Sequence, residues 1–192
     1  MDYWKKIDND FIETIFNESY STVHKRCLNH DGCIVDVGCL TWDWSQYFIG
    51  KKRIIGLDPY ENKIEGTDFY KGILGPFDGK TYMTNKILGS SIFLSEEKTD
   101  EIDVISWKTF CKLFEIDQIS ILKINIEGSE YPVLNSLDSD DYKKIDQIVV
   151  SFHDWINPKW VELTKSSLKL LEYNNFKIMK IHDRFNWYLA LK

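Results

Sequence analysis

Candidate catalytic and ligand-binding residues lie at the ends of several apolar runs in this sequence. Each candidate directly follows or ends a predicted strand; they are Asp36, Gly38, Asp58, Asn125, Glu127 and His153. In open α/β sheets, ligands bind beyond the carboxyl ends of the strands, near the point where strand order reverses. We therefore expect these positions to border one ligand-binding cleft.

The first turn points to a type of cofactor. Gly38 allows the backbone to turn close to a ligand, and Asp58 follows 20 positions later, a spacing at which an acidic residue accepts hydrogen bonds from ribose hydroxyls. The turn lacks the G-x-G-x-x-G glycines that hold pyrophosphate, which disfavours NAD and FAD. S-adenosylmethionine has a ribose but no phosphate and suits a single-glycine turn better. The alternative is an ordinary solvent-exposed turn at each place.

Alternating strands and helices are predicted to position these residues. Predicted strands cover 33–37, 53–57, about 67–74, 80–84, 102–106, 119–126, 145–152, 176–181 and 187–191, with Asp78-Gly79 as a hairpin turn before 80–84. Predicted helices cover 8–28, 42–49, 107–114, 130–137 and 161–173, and residues 85–101 are interpreted as a mobile loop. This order predicts an α/β fold with a mostly parallel sheet and a C-terminal antiparallel hairpin.

Composition limits the class of protein. The 192 residues, 43% of them hydrophobic, predict one domain over 1–192, with a helical segment at 1–30 and a Rossmann-like core at 31–192. A net charge of -6 without a basic cluster disfavours a nucleic-acid partner. No apolar run approaches the roughly 20 residues of a membrane span, and no signal-peptide core is present, so a cytoplasmic location is expected. The sequence does not indicate an oligomeric state.

Four residues of zinc-ligand type recur at every third position. They are His24, Cys27, His30 and Cys33. A turn is predicted at Asp31-Gly32 and Cys33 opens a strand, so the four would not share one helical face. A zinc site is therefore disfavoured, and reduced thiols are expected instead.

One segment resembles a known family. Residues 122–130, LKINIEGSE, resemble the LKIDIEGAE signature of FkbM-type methyltransferases. Four further segments resemble family motifs and follow one another in the same order. Asp36-Val37-Gly38 with Ser45 resembles the first loop, and Gly56-Leu57-Asp58-Pro59 resembles the second strand end. Residues 75–79 resemble an LGDKDG hairpin, and residues 145–153 resemble a later strand. The resemblance implies the class I methyltransferase fold, with a seven-stranded sheet and helices on both faces. It also implies an S-adenosylmethionine donor and O-methylation, often of sugars or hydroxylated natural products.

The sequence departs from the family's pattern at several positions. Leu40 and Trp42 stand where the family often has Asn and Gly. Lys108 and Asn125 stand where it often has Asp, and Ser151 where it often has Glu. Because asparagine can neither accept a proton nor readily hold a cation, Asn125 disfavours a metal-dependent mechanism. His153 is then the expected general base, and the alternative is a core histidine bonded to the backbone. Glu127 is expected to orient the acceptor hydroxyl or the donor's amino group.

Further positions receive expected roles in binding or structure. The expected cofactor contacts are Asp36, Gly38, Cys39, Trp42, Asp58, Pro59, Leu74 and Asn125. Trp42 either packs over the methionine end of the cofactor or fills core space. Trp155 and Trp160 suit a sugar face, although both are equally compatible with packing. Glu130 is assigned a structural or orienting role in the first turn of a helix, whereas Lys123 and His182 are interpreted as solvated edges.

Three functions remain as hypotheses. The leading one is a metal-independent O-methyltransferase that acts on a hydroxyl of a sugar or glycan. The second is a cofactor-binding pseudoenzyme or interaction module with the same fold, motivated by the altered first loop and Asn125. A nucleotide-dependent oxidoreductase is third and is disfavoured by the missing glycines.

Overall fold

A computed structural model describes the chain except residues 1–10, 17–18, 61–62, 84–99 and 183–184. The strands in the described part are β1 Phe11–Phe16, β2 Ser19–His24, β3 Cys33–Val37, β4 Ile54–Asp58, β5 Asp68–Lys71, β6 Ile73–Gly75, β7 Gly79–Met83, β8 Asp100–Ser106, β9 Ile119–Ile124, β10 Gln147–Ser151, β11 Lys177–His182 and β12 Trp187–Leu191. The α-helices there are α1 Arg26–Asn29, α2 Trp107–Leu113, α3 Glu130–Ser136, α4 Ser139–Lys143 and α5 Val161–Tyr173. None of these helices combines the length and apolarity that a membrane crossing requires.

A seven-stranded sheet forms the centre of the fold. Its strand order is β11-β12-β10-β9-β3-β4-β5. The strands from β10 to β5 run parallel, and β12 is antiparallel to both of its neighbours. The mostly parallel sheet with a C-terminal antiparallel hairpin is confirmed. Strand order reverses at β3, which lies between β4 and β9, so the ligand cleft of such a sheet is expected above β3.

The two faces of the sheet are covered differently. Side chains from α2, α3, α4 and α5 pack into the core on one face. The other face is covered by the end of β2, by the four-residue α1 and by the segment 39–48, which contains one 3-10 turn at Ser45–Phe48. Within the described ranges, α1 and this short turn are the helical elements on the second face, so that face has less helix than the first.

The predicted helix over residues 8–28 is wrong in its described part. The chain there forms the antiparallel β1–β2 pair and then α1. The apolar spacing fits a helix, but the β-branched residues Thr14, Ile15, Thr22 and Val23 favour extended backbone. Contact with the sheet fixes the end of β2: Val23 is buried there, and the His24 amide donates a 2.9 Å hydrogen bond to Gln147 Oε1.

The hairpin predicted around Asp78-Gly79 is also wrong. β6 and β7 do not pair with each other; β6 pairs parallel and β7 antiparallel with β8, which lies between them. The Asp78 carboxylate accepts bonds from the Ser106 amide (2.7 Å) and the Thr109 hydroxyl (2.6 Å), so it ties this turn to the start of α2. Most of the loop interpreted as mobile, 85–101, lies outside the described residues.

Trp42 of the first loop lies in the core. Its indole is fully buried, at a backbone φ of 60°, and it packs against Phe69 with ring centroids 5.9 Å apart. A Cβ added at Gly56 in β4 would lie 2.1 Å from Trp42 Cη2. Because Gly56 has no side chain, the indole of Trp42 fits closely against β4. This supports the alternative in which Trp42 fills space in the core.

This packing predicts a specific substitution pattern. Gly56→Ala should destabilise the fold by about 1–3 kcal/mol, because a methyl group is forced into the indole. Combining it with Trp42→Phe should recover part of that loss, since the smaller ring withdraws from the clash. Urea denaturation measures both effects. Gly79→Ala is the control, because a Cβ there would lie 3.6 Å from the Phe77 ring, an ordinary contact; equal losses from both glycines would contradict the account.

Candidate active site

Glu130 organises the loop between β9 and α3. Its side chain is completely buried, and its two oxygens accept hydrogen bonds from the amides of Ile126 and Gly128, each at 2.9 Å. Glu130 is also the first residue of α3, where the helix dipole favours a negative charge. The carboxylate therefore folds the loop back over the start of its own helix, which agrees with the structural role expected for it.

His153 lies between two carboxylates. Its Nδ1 is 2.7 Å from Glu130 Oε1, its Nε2 is 3.5 Å from Glu127 Oε1, and only 2% of the residue is exposed. Burial alone would disfavour the charged ring, but attraction by Glu130 and Glu127 outweighs it and raises the pKa of His153 to about 10. The two carboxylates therefore favour the charged form of the ring. The role of His153 as the general base stays a prediction, and both of its ring nitrogens already face carboxylates.

Glu127 is the accessible member of this group. Its side chain is 26% exposed, against 3% for His153 and 0% for Glu130. Its backbone has a φ of 53°, a conformation that is uncommon outside glycine and occurs often at functional sites. The strand-end prediction thus correctly brought Glu127 and His153 together, and Glu127 is more exposed to solvent than Glu130.

The two candidate acceptor tryptophans occupy different environments. Trp160 is half-buried: a Cβ added at Gly128 would lie 2.6 Å from its ring, and its centroid is 5.9 Å from that of Tyr131. Trp155 is 50% exposed, and its ring lies 5.8 Å from that of His153 and 5.9 Å from that of Phe185. Trp160 therefore packs on the loop that carries Glu127, whereas Trp155 presents an open ring beside His153.

Gly38 and Asn125 meet where β3 and β9 end. Gly38 has a φ of 80°, and a Cβ added to it would lie 2.1 Å from the carbonyl oxygen of Asn125. The Gly38 amide donates to Leu57 O at 2.8 Å, and the Asn125 amide donates to Val37 O at 3.0 Å. A side chain at position 38 is excluded both by backbone conformation and by this close approach.

Asp58 connects the second strand end to the first loop. Its Oδ2 accepts a 3.0 Å hydrogen bond from the Leu40 amide, and its Oδ1 accepts a 2.9 Å bond from the Tyr60 amide. Burial raises the pKa of this carboxyl above its usual value. Pro59, the next residue, is half-buried. Asp58 therefore holds the first loop in place, whatever else it binds.

Lys123 is a site residue that sequence reasoning missed. It was interpreted as a solvated edge, yet its ammonium is buried, 2.8 Å from Asp36 Oδ1 and 2.8 Å from the carbonyl oxygen of Gly38. Asp36 and Lys123 are direct partners in the pairing of β3 with β9. The sequence did contain a signal for this pair, since each of two apolar strands has one charged residue. Buried charges are normally paired, so the two residues could have been predicted to contact each other.

The remaining predicted cofactor contacts lie inside the core. Cys39 is packed on the second face near Trp42, and burial raises the pKa of its thiol well above its usual range. Leu74 lies in β6 within the core on the first face. Their contact with a cofactor stays a prediction, as do the contacts of Asp36 and Trp42.

The residues of the proposed zinc spacing do not converge. Cys27 lies in the core of the second face and Cys33 in the core of the first, so the sheet separates them. His30 instead pairs with Asp146 Oδ2 at 3.0 Å. Across the described ranges of the chain, no group of three His, Cys, Asp or Glu side chains is arranged to hold a metal ion.

Removing the Lys123 charge should be far more damaging than removing a surface charge. Lys123→Met leaves the Asp36 carboxylate buried without its partner and should cost about 3–5 kcal/mol of folding free energy. The control is Lys108→Met, which breaks an exposed 2.9 Å pair with Asp138 and should cost at most about 1 kcal/mol.

A double variant separates charge from packing in the same denaturation experiment. Adding Asp36→Asn to Lys123→Met removes both charges and should recover much of the loss. Similar stability of Lys123→Met and Lys108→Met would show that the buried pair has no special importance.

Comparisons with known proteins agree with this architecture. The sequence matches the methyltransferase FkbM domain family over residues 16–178. The fold is similar to the crystal structure of a methyltransferase FkbM from Methylobacillus flagellatus KT, with a TM-score of 0.54 and 17% sequence identity over 84% of this chain. The match covers 44% of the Methylobacillus chain, so the present chain spans less than half of that protein. No curated protein matched the sequence. Because the family match extends over most of its length, this chain belongs to the FkbM family of methyltransferases.

Proposed function

We propose that this protein transfers a methyl group from S-adenosylmethionine to a hydroxyl group of a sugar or glycan, without a metal ion. The proposal depends on one observation: the charged residues of this methyltransferase-family chain lie together at neighbouring strand ends. The first loop and Asp58 lie at the ends of β3 and β4, and Glu127 with His153 follows β9 and β10. These four strand ends border the point where strand order reverses, which is where such sheets bind ligands.

The residues around the first loop fit this cofactor. A carboxylate offers about four acceptor positions, and the two amides bound to Asp58 leave capacity for ribose hydroxyls. The Ser45 hydroxyl and the Trp44 indole nitrogen are buried and have no hydrogen-bond partner among the described residues, so polar groups remain available in this loop. When bound, the cofactor supplies an electrophilic methyl group on a positively charged sulfur.

Trp155 supports a sugar-like acceptor. Its half-exposed ring is held between His153 and Phe185, and His153 in turn contacts Glu127. An indole fixed in this way offers an apolar surface without losing side-chain freedom on binding. An acceptor ring placed on Trp155 would have its hydroxyls close to Glu127, the accessible carboxylate.

Asn125 supports a mechanism without a metal ion. It stands where the related family pattern often has aspartate, and an amide is a weak ligand for a divalent cation. Glu130 is also engaged, since its oxygens accept two amides and lie beside the protonated ring of His153. A cation at this place would have to displace that positive charge.

A non-catalytic binding module is the second candidate. It is favoured by one observation: both oxygens of Asp58 already accept backbone amides, and Trp42 fills the space near Gly56. Calorimetry with S-adenosylhomocysteine separates the enzyme from a module that does not bind the cofactor, because an enzyme of this type binds that product. Absence of binding would favour the non-catalytic module.

Replacing Asp58 should weaken cofactor binding. Asp58→Asn removes the charge that we assign to the ribose, which should raise the Kd for S-adenosylhomocysteine roughly 10- to 100-fold. Calorimetry measures the change, and thermal unfolding checks that the first loop remains folded. The control is Asp68→Asn, an exposed aspartate that pairs with Arg53 at 2.8 Å. Wild-type affinity in Asp58→Asn would refute the assignment of this residue.

Replacing Trp155 should affect acceptor binding selectively. Once a screen of neutral methyl glycosides with labelled donor gives an acceptor, Trp155→Ala should raise its KM by roughly 10-fold with little change in kcat, because a stacking surface binds ground and transition states alike. Trp155→Phe keeps an aromatic face and should lose less. An unchanged KM in Trp155→Ala would place the acceptor elsewhere.

A further inference from the structure

We propose that Glu127 accepts the proton of the acceptor hydroxyl, and that His153, held by Glu130, is a positioning residue with a fixed positive charge. This inference depends on the function proposed above. It reverses the roles expected from the sequence, in which the histidine was the base and Glu127 an orienting group.

The geometry leaves no nitrogen of His153 for an acceptor. Nδ1 lies 2.7 Å from Glu130 Oε1, and Nε2 faces Glu127 Oε1 at 3.5 Å. The 3.5 Å separation has no room for a substrate hydroxyl between the two atoms. Since the ring is 2% exposed, any group arriving from the cleft meets Glu127 first.

The charges around the ring make it a stable cation. The carboxylates of Glu127 and Glu130 face its two nitrogens, Tyr131 contributes a hydroxyl near its backbone, and Asp154 follows in the chain. The two carboxylates and one imidazolium in contact have a combined charge of -1. Accepting one proton on Glu127 brings that local charge to zero, so the transfer leaves the charge of the imidazolium balanced by Glu130 alone.

The reaction balances with Glu127 as the acceptor of the proton. The acceptor oxygen forms a bond to the methyl carbon as the S–C bond breaks, and the S–C electron pair remains on sulfur. The hydroxyl proton passes to the carboxylate of Glu127, while its O–H electron pair stays on oxygen. His153 keeps both ring protons throughout and holds Glu127 towards the cleft, and the accessible carboxylate can afterwards release its proton to water.

The two assignments predict opposite effects of pH. A histidine base with an ordinary pKa near 6.5 would lose activity in acid as its ring becomes protonated, whereas a His153 ring that stays charged adds no ionisation in that range. Because its pKa in the folded protein is raised to about 10, the charged ring stabilises the fold fully below about pH 6.5, and this contribution is lost as the pH rises through about 10.

Nuclear magnetic resonance of the histidine ring nitrogens tests the charge directly on the free protein. The ring of His153, assigned with His153→Gln, should carry protons on both nitrogens at pH 7 and titrate near 10. Glu130→Gln should lower that midpoint by about one pH unit or more, since it removes the closer carboxylate. His30, which is exposed, is an internal reference in the same spectra. A neutral His153 ring at pH 7 overturns the proposal.

Kinetics test the role of Glu127 with the acceptor found by screening. Glu127→Gln should lower kcat by roughly 10²–10⁴-fold, the usual contribution of a positioned base, and leave the Kd for S-adenosylhomocysteine unchanged. Glu115→Gln is a matched control, because Glu115 also has a positive φ, of 51°, but is exposed at the end of α2. The wild-type rate should stay level from pH 8 to pH 6.

Two outcomes would overturn the assignment. One is a kcat that falls through a single ionisation near pH 6.5, as a histidine base would produce; the other is near-wild-type turnover in Glu127→Gln. These outcomes can be distinguished from a failure of the proposed function. If the protein does not bind S-adenosylhomocysteine, magnetic resonance still measures the charge of His153.

Discussion

The buried carboxylate of Glu130 is the contact on which the candidate site depends. It accepts the amides of Ile126 and Gly128 and lies 2.7 Å from the ring of His153. One side chain therefore sets the path of the loop, fixes the imidazole and keeps it charged. A completely buried carboxylate requires this number of donors, because an unpaired charge in the interior is strongly unfavourable. Glu127 then takes its orientation from the loop and from its contact with the ring.

A second buried charge pair supports the cofactor side of the cleft. Lys123 and Asp36 join β9 to β3, and the same ammonium holds the Gly38 carbonyl. Asp58 then fixes the loop from the β4 side through the Leu40 amide. The first loop is thus held by charged groups from three neighbouring strands. Trp42 adds packing to this loop, since its indole is buried against Phe69 and Gly56.

Local patterns were sufficient for the sheet, but not for its periphery. The predicted bounds of β3, α5 and β12 agree with the structure, because the buried strands are continuous apolar runs and the helix is long and amphipathic. The β1–β2 pair was missed because the same residues satisfy a helical spacing. β6 and β7 pair with β8, which is distant from both in the chain, and Asp78 between them bonds residues 28 and 31 positions away. No short-range pattern contains that information.

The positions of the site residues could be predicted from the sequence, but their charges and their partners could not. Placing Glu127 and His153 at neighbouring strand ends required only the order of parallel strands. The charge of His153 depends on Glu130, 23 positions earlier in the chain, and on burial that only the folded structure provides. Lys123 was misinterpreted for the same reason, since its partner Asp36 belongs to another strand.

A crystal structure with S-adenosylhomocysteine is the most direct test of the central claim that these strand ends form one methyl-transfer site. The account predicts the ribose beside Asp58 and the sulfur facing the Glu127 carboxylate, with His153 still bound to Glu130. A cofactor bound away from these strand ends, or a sulfur pointing away from Glu127, would contradict it.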